Sequence, residues 1–449
     1  MSLNAVHKII AVYLLGWVPL VAAGQSAVLD HYVEEALRVN PGLLQQQLIE
    51  SERMLGVELA SASRRPTVDL RTDYLLSAGG RSIDIPIGSL LNPLNQTVNG
   101  LTGSERLPTQ LENVQTRFIP SNFYDSRVEV RLPLLQPLIA REEALRSTQV
   151  IAARAETATL ANRLRYQVAE LYYAYLQSVT GLETVDSSRQ LLLELRRVNQ
   201  VLVDNDRITR DAVYRTEAEL AALDGQSATL LQQRNVARAA LNRLLARDLD
   251  TPLRTDTNLL RQTPVTFPEV TGIRPELRQL DAGLTTLTQQ EALERAGGLP
   301  TLGLQLQAGA QGFADGSFED HPYATLGVGL SWSLYDGRKR QLRAEQIRVQ
   351  REGLARQRED TEGAIALEVY QARQRIVSEE ASMVAATAGI RASREAFRIL
   401  LRRYRNDQAL LVEYLDARTR LTTAELEYNL AYYRLLQARA ALRFALGTP

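Results

Sequence analysis

The hydrophobic positions along this chain change period from two to about three and a half, and the change happens twice. Val68, Leu70, Thr72, Tyr74 and Leu76 fall on one side of an alternating stretch, with Asp69, Arg71 and Asp73 on the other. A second stretch sets Tyr124, Val128, Val130 and Leu132 against Asp125, Arg127, Glu129 and Arg131. Leu302, Leu304, Leu306 and Ala308 alternate with polar neighbours such as Gln305 and Gln307, and Ala324, Leu326, Val328, Leu330, Trp332 and Leu334 alternate with Thr325, Gly327, Gly329, Ser331 and Ser333. Period-two patterning over about ten residues predicts strands at 67–76, 124–133, 301–311 and 323–334, each the length of a tilted membrane strand. Elsewhere the apolar residues step by threes and fours: Leu164, Val168, Leu171, Tyr175, Val179 and Leu182 in one region, Ile365, Val369, Ala372 and Ile376 in another. No proline occurs between Pro137 and Pro252, nor between Pro322 and Pro449. A narrow apolar seam flanked by Arg and Glu predicts coiled-coil-like helical hairpins over 137–247 and 336–446. Their tips fall at 204–212 and 404–413, where Asn205-Asp206 and Asn406-Asp407 tolerate the left-handed backbone of a tight turn. An unbroken helix from Pro137 to Asn205 would measure about 100 Å at 1.5 Å per residue. Such a hairpin is expected to have a seam rather than a globular core.

The two changes of period are one change written twice. Pro41, Leu43, Pro66 and Leu70 recur as Pro275, Leu277, Pro300 and Leu304, each 234 residues later (275−41). Asn205-Asp206 and Ala240-Leu241 recur as Asn406-Asp407 and Ala441-Leu442, each 201 later (406−205). The difference of 33 (234−201) lies in the first copy, where Gly80 to Asn122 reads as a long external loop. The chain thus divides into a first repeat (25–247), a connector (248–273) holding Pro252, Pro264 and Pro268, and a second repeat (274–449). Each repeat opens with a helix of about 25 residues that starts at a proline, Pro41 or Pro275, in the first-turn position that needs no N–H.

Composition narrows the chemistry. Acidic and basic residues balance at zero net charge, which argues against nucleic acid. With no cysteine and only His7, His31 and His321, thiolate sites are excluded, and no metal, cofactor or catalytic group is expected. Residues 1–24 read as an export signal: Lys8, an apolar run from Ile9 to Val21, then Ala22-Ala23-Gly24. The apolar run is shorter than the roughly 20 residues that span a bilayer, and no later segment is longer. If this chain enters a membrane, it does so as strands. Four strands cannot close a membrane barrel, and open edges in lipid cost several kcal/mol per unpaired backbone group. Strands from several copies are therefore required: two copies give eight, three give twelve, and periodicity does not choose.

Together these features resemble the TolC family of outer-membrane efflux proteins. The most specific match is Val412-Glu413-Tyr414-Leu415-Asp416-Ala417 after the second tip, supported by Val213 to Leu220 after the first, by Asn40-Pro41 and by the closing Leu442 to Gly447. The resemblance implies a mixed fold, a membrane β-barrel plus an α-helical barrel, built as a homotrimer with twelve strands in the cell outer membrane of a Gram-negative organism and a periplasmic helical extension. It implies a passive exit duct, not an enzyme, that docks with a periplasmic adaptor (membrane fusion) protein and an inner-membrane transporter. The family's acidic constriction falls on Glu413 and Asp416. Asp206, Arg207 and Asp407 occupy the tip turns, where contact with the adaptor is possible. Tyr74, Tyr124, Tyr323 and Trp332 are candidates for an aromatic belt at the lipid boundary. The acid and base by which the family latches its tips fall on Ala212 and Ala409, neither of which carries a charge. The competing class is a periplasmic coiled-coil scaffold with a soluble sheet.

Overall fold

A computed structural model describes residues 27–119, 122–256, 273–313, 321–406 and 408–447. The export signal, most of the connector and Asp407 lie outside the described residues. The chain forms two compact units. One comprises residues 1–52, 149–284 and 352–449; the other comprises 53–148 and 285–351.

The first unit is helical. α1 (Ala27–Val39) and α2 (Pro41–Ala62) open the chain, α4 (Pro137–Asp204) and α5 (Asp211–Leu244) form the first hairpin, and α7 (Lys339–Arg405) and α8 (Leu411–Leu446) form the second. α4 runs unbroken for 68 residues and α7 for 67, as the absence of proline predicts. The return arms are half as long, 34 and 36 residues. Beyond the end of each return arm the long helix takes a new partner: α4 pairs with α2 through Arg154–Glu50 at 2.9 Å, and α7 with α6 (Pro275–Ala296) through Arg358–Asp281 at 2.6 Å.

A core exists where only a seam was expected. Leu29, Tyr32 and Ala36 of α1 pack with Leu164, Val168 and Tyr172 of α4, Leu241 of α5 and Tyr433 of α8. Tyr32 and Tyr172 are essentially inaccessible, and their hydroxyls accept the backbone N–H groups of Arg254 and Asp256. α1 supplies the additional layer that turns a hairpin seam into an interior, and burial of large aromatic faces is its main gain.

The second unit holds a four-stranded antiparallel sheet of order β1-β4-β5-β6: β1 (Thr67–Leu75), β4 (Phe123–Leu135), β5 (Thr301–Phe313) and β6 (His321–Ser331). The strands match the four predicted stretches to within a few residues. The segment read as a plain loop contains β2 (Ser82–Ile85), α3 (Ile87–Thr102) and β3 (Val114–Arg117). It is organised by asparagines on one face of α3. Asn92 both donates to the Leu111 carbonyl and accepts from its N–H; Asn99 does the same with Leu107, and Asn95 donates to the Pro108 carbonyl. Side-chain amides replace a missing backbone partner here, so no hydrophobic period announces the structure. Gly88 permits the close approach, because a Cβ there would lie 1.9 Å from the Leu111 carbonyl oxygen. Among the described residues no helix is long and apolar enough to cross a membrane.

Candidate transport path: the sheet and the hairpin tips

The sheet has its faces reversed relative to a water-soluble one. Register pairs Val68 with Val130, Leu70 with Val128, Val130 with Leu306, and Leu304 with Val328. This apolar face lies open: Leu70 is 75% exposed, Leu326 69% and Leu330 69%. The opposite face carries the charges, and there Glu129 is only 1% exposed.

On the charged face like residues stand directly opposite one another: Asp69 faces Glu129, Arg71 faces Arg127, and Asp73 faces Asp125. Direct pairing alone would be repulsive. The side chains instead reach diagonally and along the strand: Arg71 to Glu129 at 3.6 Å, Arg127 to Asp73 at 3.0 Å, Arg131 to Asp69 at 4.0 Å and to Glu129 at 2.6 Å. Gln305 adds a hydrogen bond to Glu129. Glu129 thus has the partners a nearly inaccessible carboxylate requires. On β5 and β6 the same face is neutral around Gln305, Gln307 and Thr325, with glycines at 303, 309, 327 and 329.

Of the four belt candidates, Tyr74 and Tyr124 face each other across β1 and β4 on the apolar face. Tyr74 also hydrogen-bonds Asn122. Trp332 lies just beyond β6, and its indole N–H donates to the Gly298 carbonyl at 3.0 Å. Tyr323 is a correction. It pairs with Gly309, which pairs in turn with Arg127, so it shares the charged face, and its hydroxyl donates to Asp125 at 2.8 Å. Parity decides this, since odd-numbered residues of β6 face away from Leu326 and Val328.

At the first tip α4 ends in a Schellman turn. Arg207 N–H donates to Leu202 O at 2.8 Å and Asp206 N–H to Val203 O at 3.0 Å, with Asp206 left-handed at φ 54°. At the second, Gln408 N–H donates to Arg403 O at 2.8 Å, the same bond 201 residues later. Glu413 and Asp416 are both exposed near the start of α8. Glu413 Oε2 accepts the Leu410 N–H at 2.8 Å, so it caps the helix end. Asp416 pairs with Arg420 at 2.9 Å. Ala212 is buried, and neighbouring Asp211 turns to Thr209 and Arg215.

Sequence reasoning missed the cluster that joins the two hairpins behind the acids. Tyr404 stacks on Tyr414 at 4.9 Å, and Tyr414 and Leu415 pack with Leu192, Leu195 and Leu220. Arg418 lies over the Phe397 ring at 5.4 Å and donates to Ser188 Oγ, while Ser188 and Thr422 hydroxyls meet at 2.8 Å. Burial lowers the Arg418 pKa from its ordinary value. The available signal was Arg418 itself, a charge at i+4 from Tyr414 on an otherwise apolar helix face.

With this geometry in place, comparison with known proteins is informative. Residues 269–448, essentially the second repeat, match the outer membrane efflux protein family. No curated protein sequence matches the chain. Among solved structures, the open state of the MtrE outer-membrane channel of Neisseria gonorrhoeae superposes with a TM-score of 0.71 at 18% identity, covering 94% of this chain and 89% of that one. The outer-membrane protein VceC from Vibrio cholerae gives 0.68 at 16% identity, covering 94% and 96%. The CmeC outer-membrane channel of Campylobacter jejuni gives 0.69 at 14%, covering 94% and 86%. The chain therefore has the fold of TolC-like outer-membrane channels, and the resemblance to that family read from the sequence holds.

Proposed function

We propose that this protein is the outer-membrane exit duct of an export machine, in which three copies close a twelve-stranded barrel and a helical tunnel. The observation that carries this reading is the reversed sheet. Its apolar face is open, its charges are turned inward, and its edge strands β1 and β6 have no neighbour within the described residues of the chain. In water such a sheet would expose a large apolar patch; in a bilayer it would be an ordinary barrel segment. The family match over the second repeat and the shared fold support efflux as the activity and the outer membrane as the location. Transport is passive and energy comes from an inner-membrane transporter, reached through a periplasmic adaptor that docks at the hairpin tips, where Asp206, Arg207 and Asp407 lie.

The narrow end of the duct is lined by Glu413 and Asp416, giving six carboxylates around a three-fold axis. Such a ring favours cations and binds multivalent ones. Purified protein in planar bilayers tests this. Discrete conductance steps with cation preference are expected, and the Glu413→Ala/Asp416→Ala variant should lose cation preference and block by multivalent cations. No conductance from wild type or variant would refute the duct; unchanged selectivity in a conducting variant would refute the constriction.

A further inference from the structure

The extra residues of the first repeat hold a helix that bears no charge: no Asp, Glu, Lys or Arg occurs from Ile85 to Ser104. Two faces of this helix, α3, are distinct. On one, Asn92, Asn95 and Asn99 bind the backbone of Leu107, Pro108 and Leu111, and Gly88 lets that segment approach. This face is occupied within the chain, so it fixes how the helix is turned. Ile87, Leu90, Leu91, Leu94, Val98 and Leu101 form the other, a stripe about 100° wide. The stripe is open among the described residues: Leu90 is 70% exposed, Leu94 57% and Leu101 83%.

The helix is carried at the far end of the sheet. β1 follows α2 and β4 leads into α4, so the connection from β1 to β4 leaves the sheet at the end away from those helices. It leaves as the β2–β3 ribbon, whose pairing sets Ile83 beside Thr116 and Ile85 beside Val114 on one face. Ser82, Asp84, Gln115 and Arg117 take the other face. Ile83, Ile85 and Val114 are exposed, and so are Leu75, Leu76, Phe118 and Ile119 between ladder and ribbon. Tyr74, on the apolar face of the sheet, hydrogen-bonds Asn122 just before β4. Open apolar side chains therefore run from Leu70 of the sheet, through the ribbon, to Leu101 of the helix.

Resting on the membrane reading above, we infer that α3 lies on the outer leaflet of the bilayer, with its leucine stripe among the upper acyl chains. Gln96 and Gly100, on the opposite side of the helix, then face water. Two observations select lipid as the occupant. The stripe continues the apolar surface of the sheet that the same bilayer covers, and its width is that of a helix lying in a membrane interface. Folding the stripe over the duct instead would set leucines against Asp73, Asp125 and Arg127 at the outer end of the charged face. Stripping water from those charges is unfavourable. The extra residues thus lie outward and leave the duct mouth clear. Because α3 carries no charge, the contact rests on apolar burial and is insensitive to salt and to headgroup charge.

The sequence contains no cysteine, so a single introduced one takes a fluorescent label without background. Full-length labelled protein is reconstituted into phosphatidylcholine vesicles with and without a lipid carrying a nitroxide high on its acyl chain. Labels at Leu94 and Leu101 should be quenched about twofold more strongly than labels at Gln96 and Gly100. A side chain fits at Gly100, where an added Cβ meets nothing within 4 Å. The ratio should be unchanged in high salt or with anionic lipid added. Leu90→Asn/Leu101→Asn should reduce quenching of the Leu94 label to about half. A label at Leu326 on β6 separates the failures. Leu326 quenched, with the four α3 positions quenched equally or not at all, overturns the inference. Leu326 unquenched overturns the membrane reading, and the inference with it. Disulfide-linked copies of Leu94→Cys, with that position unquenched, would put a second copy on the stripe and overturn the inference.

Discussion

The guanidinium of Arg274 donates to the carbonyl oxygen of Ala445 at 3.1 Å, tying the first residue of the second repeat to its last helix. The same guanidinium holds Glu276 in a two-pronged ion pair, reaches Glu368 at 3.0 Å and lies over the Phe444 ring. Asn40, 234 residues earlier, does the equivalent job at Leu244, which is 201 residues before Ala445. Asn40 also caps α2, accepting the N–H groups of Gly42 and Leu43. Both repeats are thus closed at one joint, by different side chains.

Removing that joint has a defined cost. Arg274→Ala leaves two carbonyls and two carboxylates without their donor and should destabilise by about 2–3 kcal/mol. Asn40→Asp keeps the cap but places a carboxylate against the Leu244 carbonyl, and should cost about 1–2 kcal/mol. Denaturant midpoints of detergent-solubilised protein measure both.

Among the described residues, Asp206 (φ 54°) and Ala246 (φ 51°) carry a left-handed backbone with a Cβ just past helix C-termini. At the position equivalent to Ala246 the second repeat uses Gly447 (φ 66°). Asp206→Gly and Ala246→Gly should each stabilise by up to about 1 kcal/mol by relieving that conformation. Thermal melts of the single and double variants should show additive upward shifts, because the sites are far apart in sequence and share no described contact.

Acid should weaken the helical packing through one buried carboxylate, Glu291, and one half-buried carboxylate, Glu276. Burial opposes ionisation of Glu291, but the hydrogen bond from Arg348 and the charge of Arg295 outweigh it and hold the carboxyl below its ordinary value. At Glu276 burial is likewise outweighed, by the hydrogen bond from Arg274. A lowered folded-state pKa stabilises above the ordinary glutamate range, and the gain is lost as pH falls through the folded-state value. Melting temperature should therefore be flat from neutral pH down to about 5 and fall below that. Glu291→Gln should lie lower at pH 7 and show a shallower acid limb.

The strands, the long helices and both tips were legible because each rests on a local period: two in the sheet, three and four in the hairpins, Asn-Asp at the turns. What escaped notice depends on contacts across sequence. α1 joins the core through Leu29, Tyr32 and Ala36, whose spacing marks an apolar helix face but not that its partners are Leu164, Val168 and Tyr172 of α4. α3 is held by Asn92, Asn95 and Asn99, residues that usually signal loops. The pairing of α2 with α4 and of α6 with α7 beyond the return arms was hidden because it joins segments far apart in sequence. Tyr323 was placed on the wrong face by its residue type, when its odd number already put it with Thr325. Glu413 and Asp416 were singled out by the resemblance alone, and the helix-capping bond of Glu413 to the Leu410 N–H required coordinates.

Reversing polarity on one face of β6 should have opposite effects at adjacent positions. Leu326→Arg places a charge on the face assigned to lipid and should cost about 2–4 kcal/mol, enough to reduce the amount of assembled protein in outer membranes several-fold. Thr325→Arg, on the inward face, should assemble at wild-type levels. Quantifying heat-resistant oligomer in membrane fractions distinguishes them.

The orientation of the sheet is the claim on which the whole account rests, and it can be read residue by residue. Spin labels on single cysteines at 324 through 330, in protein reconstituted into bilayers, report collisions with lipid-soluble oxygen and with a water-soluble nickel chelate. Labels at Leu326, Val328 and Leu330 should favour oxygen, and labels at Thr325, Gly327 and Gly329 should favour the chelate, in strict alternation. Uniform access to the chelate at all positions, or alternation of opposite sign, would contradict it.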